Sequence, residues 1–243
     1  MKENEAPGPL NVGILGANAV VPCPEYGTHA IQQSRSFHWR RGSLGAAALS
    51  KFLPGVECRV ALTSTIYNVS ADLNDVDRGV YESIALRMAM HPSESMEYMA
   101  TRLMAYCLEY TEGIEMTTGL SDGNEPAIVV RDLTGRITAW IEIGLPDADR
   151  LHRASKLAER VAVYTHRDPA ILLGQLAGRR IHRAEELAIY SFAGSFIKDL
   201  AERIERRIEL SLSVTEQHIY LDIGGQALST TIDRVAAGAL ARR

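Results

Sequence analysis

EPAIVVRDLTGRITAWIEIGLPDADRLHRASK, residues 125–156, contains the strongest structural signals of this chain. Asp132 and Gly135 are the first and last residues of a four-residue turn, positions at which Asp and a residue tolerant of positive φ are favoured. Residues rich in β-propensity flank the turn, in the runs 127–131 and 137–144. The sequence therefore predicts a β-hairpin here.

The second strand of this hairpin carries an acid among apolar residues. Because side chains alternate along a strand, Ile141 and Ile143 point to one face, and Trp140 and Glu142 point to the other. A carboxylate on an otherwise apolar strand needs a charged partner or a ligand when it is buried. Glu142 is therefore the first candidate for a functional residue.

A helix with one apolar side and one basic side is predicted after Pro146. Asp147 or Asp149 is in position to cap its first turn. The apolar side carries Leu151, Ala154, Ser155 and Ala158. The basic side carries Arg150, Arg153, Lys156 and Arg160, which are three or four residues apart. The sequence thus predicts a cationic helix face directly after the strand acid.

A strand acid followed by a basic helix suits a metal-dependent phosphodiesterase. Mg²⁺ or Mn²⁺ takes oxygen ligands such as the Glu142 carboxylate and activates water. Basic side chains neutralise the charge that develops on phosphate. The alternative is purely structural, with Glu142 paired to Arg153 beneath the helix and the remaining charges solvated.

Size and composition are those of an ordinary soluble globular protein. The chain has 243 residues, 46% of them hydrophobic and 23% charged, and a formal net charge of −4. A negative chain does not attract nucleic acid through its total charge, so such binding requires a local basic patch. The cysteines at 23, 58 and 107 are far apart and odd in number, which favours a reducing compartment over a disulfide framework.

The sequence pattern also argues against a membrane-spanning protein and against a nucleotide-binding protein. No run approaches the ~18 apolar residues of a membrane span, so we predict a cytoplasmic protein without a membrane partner. Gly13 and Gly16 resemble the start of a nucleotide-binding turn, but the third glycine is missing, and Pro22 and Pro24 prevent the helix that would receive the phosphate. No organic cofactor is expected.

The chain is predicted to have three parts. Residues 1–59 are rich in Gly, Pro, Ser and Ala without sustained periodicity, and we expect a disordered or spurious N-terminal extension. Residues 60–235 form the folded domain, and residues 236–243 form a loose tail. Within the domain, strands are predicted on both sides of a turn at 74–77.

A helix and several later strands complete the predicted domain. His91-Pro92-Ser93-Glu94 is expected to open the helix, with Pro92 in its first turn. Its buried stripe is Met96, Met99, Ala100, Leu103, Met104, Cys107 and Leu108. Further predictions are strands at 161–165 and 187–192, a helix from Asp168 to Leu176, a hairpin around Glu216-Gln217, and a last strand after Gly224-Gly225.

The order of these elements resembles the core of the restriction-endonuclease-like, or PD-(D/E)xK, fold. More specifically, the chain from Val60 to about Ile232 is similar to the YaeQ family of small bacterial proteins. The similarity is carried by Thr65-Ile66-Tyr67, His91-Pro92-Ser93-Glu94, Gly119-Leu120-Ser121, Glu125-Pro126, Trp140-Ile141-Glu142-Ile143-Gly144, and Pro146-Asp147 with Arg150 and Ala154. It implies an α/β (α+β) fold: a central mixed β-sheet flanked by helices, with an αβββαβ core and additional β-hairpins.

The resemblance also implies where the metal acids belong. It places one at Glu142, with the helix acid Glu94 in support. Members usually carry another acid directly after the Glu-Pro pair, but this chain has Ala127 there. Glu125 or Asp132 is left to supply a second carboxylate, and the hairpin register decides which acid faces the site.

The lysine of the fold normally lies two residues beyond the second acid, where this chain has Gly144. A basic residue of the next helix must substitute, and Arg153 and Lys156 are the candidates. An arginine stays protonated at ordinary pH, so Arg153 can stabilise charge but cannot act as a base.

The start of the chain also differs from the family pattern, since members begin almost at their first strand. The run from Val60 to Tyr67 corresponds to that beginning, and bacterial genes can start at a valine codon. We therefore expect the natural protein to start at Val60. The intact mass of protein made from the native gene tests this expectation, and a chain carrying Met1 contradicts it.

The expected function is a weak or degenerate metal-dependent phosphodiesterase acting on DNA or RNA, with Mg²⁺ or Mn²⁺ as cofactor. In this hypothesis Glu142 and Glu125 hold the metal, and Glu94 supports the catalytic group. Arg150, Arg153, Lys156 and Arg160 bind phosphate. The alternative is a catalytically inactive binding or regulatory protein of the nuclease fold, and the sequence leaves open whether the chain is an enzyme.

Overall fold

The computed structural model describes residues 64–117 and 125–236, which form a mixed α/β fold. Within these ranges there are two mixed β-sheets and four α-helices. The strands are β1 Thr65–Asp75, β2 Val80–Met90, β3 Ile114–Met116, β4 Ile128–Arg131, β5 Ile137–Ile143, β6 Arg160–Thr165, β7 Ala188–Ser191, β8 Arg207–Thr215, β9 His218–Ile223, β10 Gln226–Thr231 and β11 Asp233–Ala236. The helices are α1 Met96–Leu108, α2 Ala148–Leu157, α3 Pro169–Leu176 and α4 Gly194–Ala201. Among the described residues, no helix is long and apolar enough to cross a membrane.

The predicted hairpin lies in a six-stranded sheet with the order β11-β7-β6-β5-β4-β3. β4 and β5 are antiparallel and meet at the predicted turn, where Gly135 N–H donates to Asp132 O at 2.9 Å and Gly135 has φ +82°. β5 and β6 are parallel because α2 carries the chain back across the sheet between them. The run α1-β3-β4-β5-α2-β6 is the αβββαβ order that the sequence predicted.

The additional hairpins do not extend this sheet but form a second, five-stranded sheet with the order β10-β9-β8-β1-β2. The burial patterns explain the separation. Buried and exposed residues alternate along β1, whereas five consecutive residues are buried along β6. A strand with one apolar face suits an outer layer, and a strand apolar on both faces suits the middle of a covered sheet.

The main core joins the inner faces of both sheets through α1 and α4. The predicted stripe of α1 is buried as expected from Met99 to Leu108, and Met96 is partly buried against the same core. On the other face of the six-stranded sheet, α2 and α3 bury a second cluster around Trp140, Leu151 and Leu172. β5 is therefore covered on both faces.

Three sequence predictions need correction. The helix expected to open at His91–Glu94 begins at Met96, because Ser95 is the residue whose hydroxyl accepts from Tyr98 N–H. A further strand, β11, follows the predicted last strand and pairs with β7. α2 ends at Leu157, so Arg160 does not continue its basic face. The predictions for residues 1–59 and for the tail after residue 236 lie outside the described residues, and so does the motif Gly119-Leu120-Ser121.

Candidate functional site

Glu142 lies near the end of β5, on the strand face that also carries Trp140. Its neighbours β4 and β6 enclose the strand, and α2 packs over this face. As a result Glu142 is only 4% exposed. The predicted alternation of side chains along β5 is correct, and it leaves a carboxylate inside the protein that must be stabilised there.

Two side chains stabilise that carboxylate through one oxygen. Trp140 Nε1 and Arg150 Nε both donate to Glu142 Oε1, each at 2.6 Å. Arg150 comes from the first turn of α2, which Asp147 caps by accepting Arg150 N–H at 2.7 Å. Arg150 also donates to the backbone oxygen of Glu125. The helix cap thus places a guanidinium against the strand acid and ties it to the segment that enters β4.

The pairing differs from both alternatives drawn from the sequence. The partner of Glu142 is Arg150, not Arg153, so the predicted Glu142–Arg153 pair is wrong. Arg150 was expected to face phosphate, but its side chain is only 20% exposed and contacts the acid. Burial raises the pKa of the Glu142 carboxyl, while the hydrogen bonds from Arg150 and Trp140 oppose that rise.

The β4–β5 ladder ends one residue before Glu142, with Ile128 paired to Ile141. Ala127 directly precedes β4 and packs in the main core with Ile141 and Ile143. Ala127 is 2% exposed. The position that carries an acid in the resemblance is therefore buried and apolar in this chain.

Neither Asp132 nor Glu125 is placed to complete a metal site with Glu142. Asp132 lies in the turn at the far end of β5, where Oδ1 accepts from Thr134 N–H, Thr134 Oγ1 and Arg136 N–H at 2.6–2.9 Å. Glu125 is exposed. In the described ranges, no three His, Cys, Asp or Glu side chains lie together as a metal-ligand group. Mg²⁺ and Mn²⁺ require several oxygen donors, and the described residues around Glu142 do not supply them.

Gly144 explains why no lysine stands two residues beyond Glu142. Its φ is +86°, in the left-handed region that strains an L side chain. A Cβ at this position would have room, 4.0 Å from Cε2 of Tyr98 in α1, so the backbone conformation alone disfavours a side chain. The backbone at the end of β5 therefore favours glycine, and a basic group has to come from another element.

α2 supplies two such groups at its surface. Arg153 and Lys156 are both exposed. Neither is in an ion pair with a described carboxylate. Of the four basic residues predicted to share one face, these two point outward, Arg150 binds Glu142, and Arg160 begins β6 at the other end of the sheet.

Glu94 forms a second buried acid–arginine pair. It lies in the turn before α1 rather than on the helix, and its Oε2 accepts from Arg102 at 3.1 Å and from His91 N–H at 3.2 Å. Arg102 is 1% exposed and also donates to Ala89 O at 2.7 Å. Burial raises the pKa of Glu94 above its usual value. The expected supporting acid is thus already paired within the fold.

Tyr98 lies within electrostatic range of both pairs. Its pKa is raised to about 12, mainly by burial, with further contributions from Glu94 and Glu142. Sequence reasoning missed Arg102 and Tyr98. Arg102 could have been found from the sequence, because it is a charged residue between Met99 and Leu103 in the apolar stripe of α1.

These features define a class: a mixed α/β protein with an αβββαβ core and a buried acid at the end of its central strand. A family model described as YaeQ protein matches residues 60–232. The chain belongs to the YaeQ family. It is 31% identical over 163 residues to an uncharacterized protein YaeQ from Salmonella typhi, covering 67% of this chain and 90% of that protein.

Solved structures show the same fold. The crystal structure of YaeQ protein from Pseudomonas syringae aligns with a TM-score of 0.66 and 31% sequence identity, covering 71% of this chain and 96% of that one. The YaeQ protein from Xanthomonas axonopodis pv. citri aligns with a TM-score of 0.64 and 24% identity, covering 72% of this chain and 99% of that one. The predicted family resemblance is confirmed.

Proposed function

We propose that this chain is a degenerate relative of the metal-dependent phosphodiesterases that binds nucleic acid through α2 and hydrolyses it weakly or not at all. The proposal joins the nuclease-like order of elements, which the sequence resemblance implied, to a site whose donors do not suit a metal.

The observation that carries the proposal is the hydrogen-bonding of Glu142. Its Oε1 accepts from Arg150 and Trp140 at 2.6 Å each, and the position where the family resemblance places another acid is the buried Ala127. A metal would have to displace a guanidinium from a buried carboxylate, and Ala127 offers it no second acid. Because separating a buried ion pair is costly, we expect metal affinity to be poor.

The nucleic-acid surface is the exposed side of α2. Arg153 and Lys156 project from it close to the turn of helix that carries Arg150. Phosphate contacts by such side chains release counterions, which favours association even for a protein of net negative charge. Two cations make a small site, so we expect weak, salt-sensitive binding without sequence preference.

The first test is calorimetric titration of the full chain with Mn²⁺, which binds oxygen-rich sites more tightly than Mg²⁺ does. We expect no saturable binding at millimolar Mn²⁺, for the wild type or for Glu142→Ala. An Ala127→Asp variant, checked for folding by circular dichroism, should gain measurable binding if the missing acid limits the site. Saturable wild-type binding that Glu142→Ala abolishes would overturn the claim of degeneracy.

The second test is fluorescence anisotropy of a labelled DNA oligonucleotide across a salt series. Replacing both Arg153 and Lys156 by alanine should weaken binding and lower the slope of log K against log salt by up to about 2. Arg87→Ala removes an exposed cation on β2 and serves as the matched control. No salt-dependent binding, or equal binding by the double variant and the control, favours the alternative of a non-catalytic protein that binds another protein.

A further inference from the structure

A cavity of about 630 Å³ lies at the opposite end of β5 from Glu142. It forms where α1 ends at Leu108, β6 begins at Arg160 and β1 ends at Asp75. Ala139 is the buried β5 residue that lines it, three positions before Glu142 and on the other strand face. At the rise of a β-strand the two residues are roughly 10 Å apart. The cavity is therefore separate from the Glu142 site.

Apolar and aromatic side chains form much of the wall. Leu108, Val130, Ala139 and Val214 are all buried and line the cavity. Tyr164 and Tyr190 stack beside them, with ring centroids 4.8 Å apart and planes inclined by 23°. Concave surfaces with an apolar wall and few fixed polar groups are typical of small-molecule sites.

An ion pair holds the polar part of the wall in place. Arg160 donates to both oxygens of Glu109, at 2.6 Å each, and the Tyr164 hydroxyl donates to Glu109 Oε1 at 2.6 Å. The Arg160 side chain is still 41% exposed, whereas the Glu109 side chain is 10% exposed. A bidentate pair of this kind keeps its geometry without a ligand, so the wall is preorganised.

Carboxylates outnumber guanidinium groups around the cavity. Asp75, Asp77, Glu109 and Glu159 line it, against Arg78 and Arg160. Asp75 lies 3.8 Å from Arg78, and Glu159 lies 2.9 Å from Arg136. The lining therefore carries an excess of negative charge, which disfavours an anionic ligand.

Asp77 is the best-placed acid for a ligand. Its two oxygens accept one backbone N–H each, from Glu216 at 2.7 Å and from Gln217 at 2.8 Å. These donors belong to the β8–β9 turn, where both residues have positive φ. Among the described side chains, no cation is paired with Asp77. The turn thus orients a carboxylate whose charge is available at the cavity wall.

We propose that this cavity binds a small organic cation, an amine with an aromatic or aliphatic body. The ammonium group lies beside Asp77, and the body packs against Tyr190 and the apolar wall. This site does not depend on the proposed nucleic-acid function, since it shares neither residues nor sheet end with α2.

The test compares two probes of similar shape and opposite charge on the full chain. Tyramine carries an ammonium group, and 3-(4-hydroxyphenyl)propionate carries a carboxylate. Calorimetry and saturation-transfer NMR should show saturable binding of tyramine and none of the carboxylate at equal concentration. Asp77→Asn should weaken tyramine binding about three- to fivefold, the size expected for one partly solvated charge contact.

Two further variants separate the cavity from general charge effects. Asp199→Asn makes the same charge change on the exposed surface of α4, outside the cavity lining, and should leave binding unchanged. Thr111→Trp narrows the cavity at an exposed lining position, where the larger side chain need not disturb the core. Equal binding of the two probes, or unchanged tyramine binding in both Asp77→Asn and Thr111→Trp, overturns the proposal.

Discussion

Two buried carboxylates at opposite ends of the six-stranded sheet, Glu142 and Glu109, are stabilised in different ways. Glu142 receives both donors, Trp140 and Arg150, on a single oxygen. Glu109 is held through both oxygens, by the bidentate guanidinium of Arg160 and the hydroxyl of Tyr164. The first pair lies buried beneath α2, and the second frames an open cavity.

The difference lies in how far apart the partners are in sequence. Trp140 and Arg150 are two and eight residues from Glu142, within one strand–helix unit. Arg160 is 51 residues from Glu109, and the two meet only where α1 ends beside the start of β6. A local pair can be weighed from the sequence, whereas a pair between distant elements depends on the tertiary arrangement.

The largest expected effect comes from separating the Glu142 pair. Arg150→Met keeps much of the side-chain volume but removes the cation that pairs with Glu142, a carboxylate only 4% exposed. Breaking a buried pair costs about 3–5 kcal/mol, and we expect about 2–4 kcal/mol here because Arg150 is partly exposed. Urea denaturation measures the loss.

The control for this variant is Arg136→Met, which removes the cation of an exposed pair with Glu159 at 2.9 Å. Exposed pairs contribute at most about 1 kcal/mol. Similar losses in Arg150→Met and Arg136→Met would show that the Glu142 pair contributes no more than a surface pair.

A smaller effect is expected at the other end of the sheet. Glu109→Gln replaces one acceptor oxygen by an amide nitrogen, which cannot accept from Arg160, so a charge-assisted hydrogen bond is lost. We expect a decrease of about 1–2 kcal/mol in the free energy of unfolding, because hydrogen bonds to charged groups contribute about that much and Arg160 remains partly solvated. Thermal and urea unfolding provide the measurement.

Glu159→Gln is the matched control, since it makes the same substitution in the exposed pair with Arg136. If Glu109→Gln lowers the free energy of unfolding as much as Arg150→Met does, the Glu109 and Glu142 pairs do not differ in their contribution to stability.

The smallest effect is a pH dependence. Burial raises the pKa of Glu142 above the usual value of 4.5, so the folded state keeps this proton to higher pH than the unfolded state does. The native protein then binds more protons, and stability falls as pH rises from about 4.5 through the raised pKa, above which it is constant. Glu142→Gln removes this contribution.

The measurement is urea denaturation of wild type and Glu142→Gln at several pH values between 4 and 8. The stability of the wild type relative to the variant should decline over this window. A difference that grows with pH would mean that Arg150 and Trp140 outweigh burial and lower the pKa instead.

Much of the fold was predictable because it follows from local patterns. The hairpin turn at Asp132–Gly135, the alternation along β5, the Asp147 cap and the helix from Pro169 to Leu176 all depend on residues a few positions apart. The start of α1 was misplaced because Pro92 and Ser95 both suit a helix N-terminus, and only the hydrogen bond from Tyr98 N–H identifies Ser95 as the cap.

The candidate site was predictable in its residues but not in its contacts. The sequence singled out Glu142 and the basic residues of the following helix. Arg150, Arg153 and Lys156 are similar in sequence terms, and only the packing of α2 on the sheet turns Arg150 inward and leaves the other two outside. The cavity beside Glu109 had no local signal, since its wall is assembled from both sheets and the end of α1.

The sequence by itself determined the family, through the motifs that it shares with YaeQ proteins. It also determined the αβββαβ order and the presence of one acid on an apolar strand, because periodicity and capping act over a few residues. The tertiary structure decided that Arg150 pairs with this acid, that Ala127 packs in the main core, and that the hairpins build a separate sheet. Those outcomes depend on strand register and on contacts between distant elements, which local preferences do not specify.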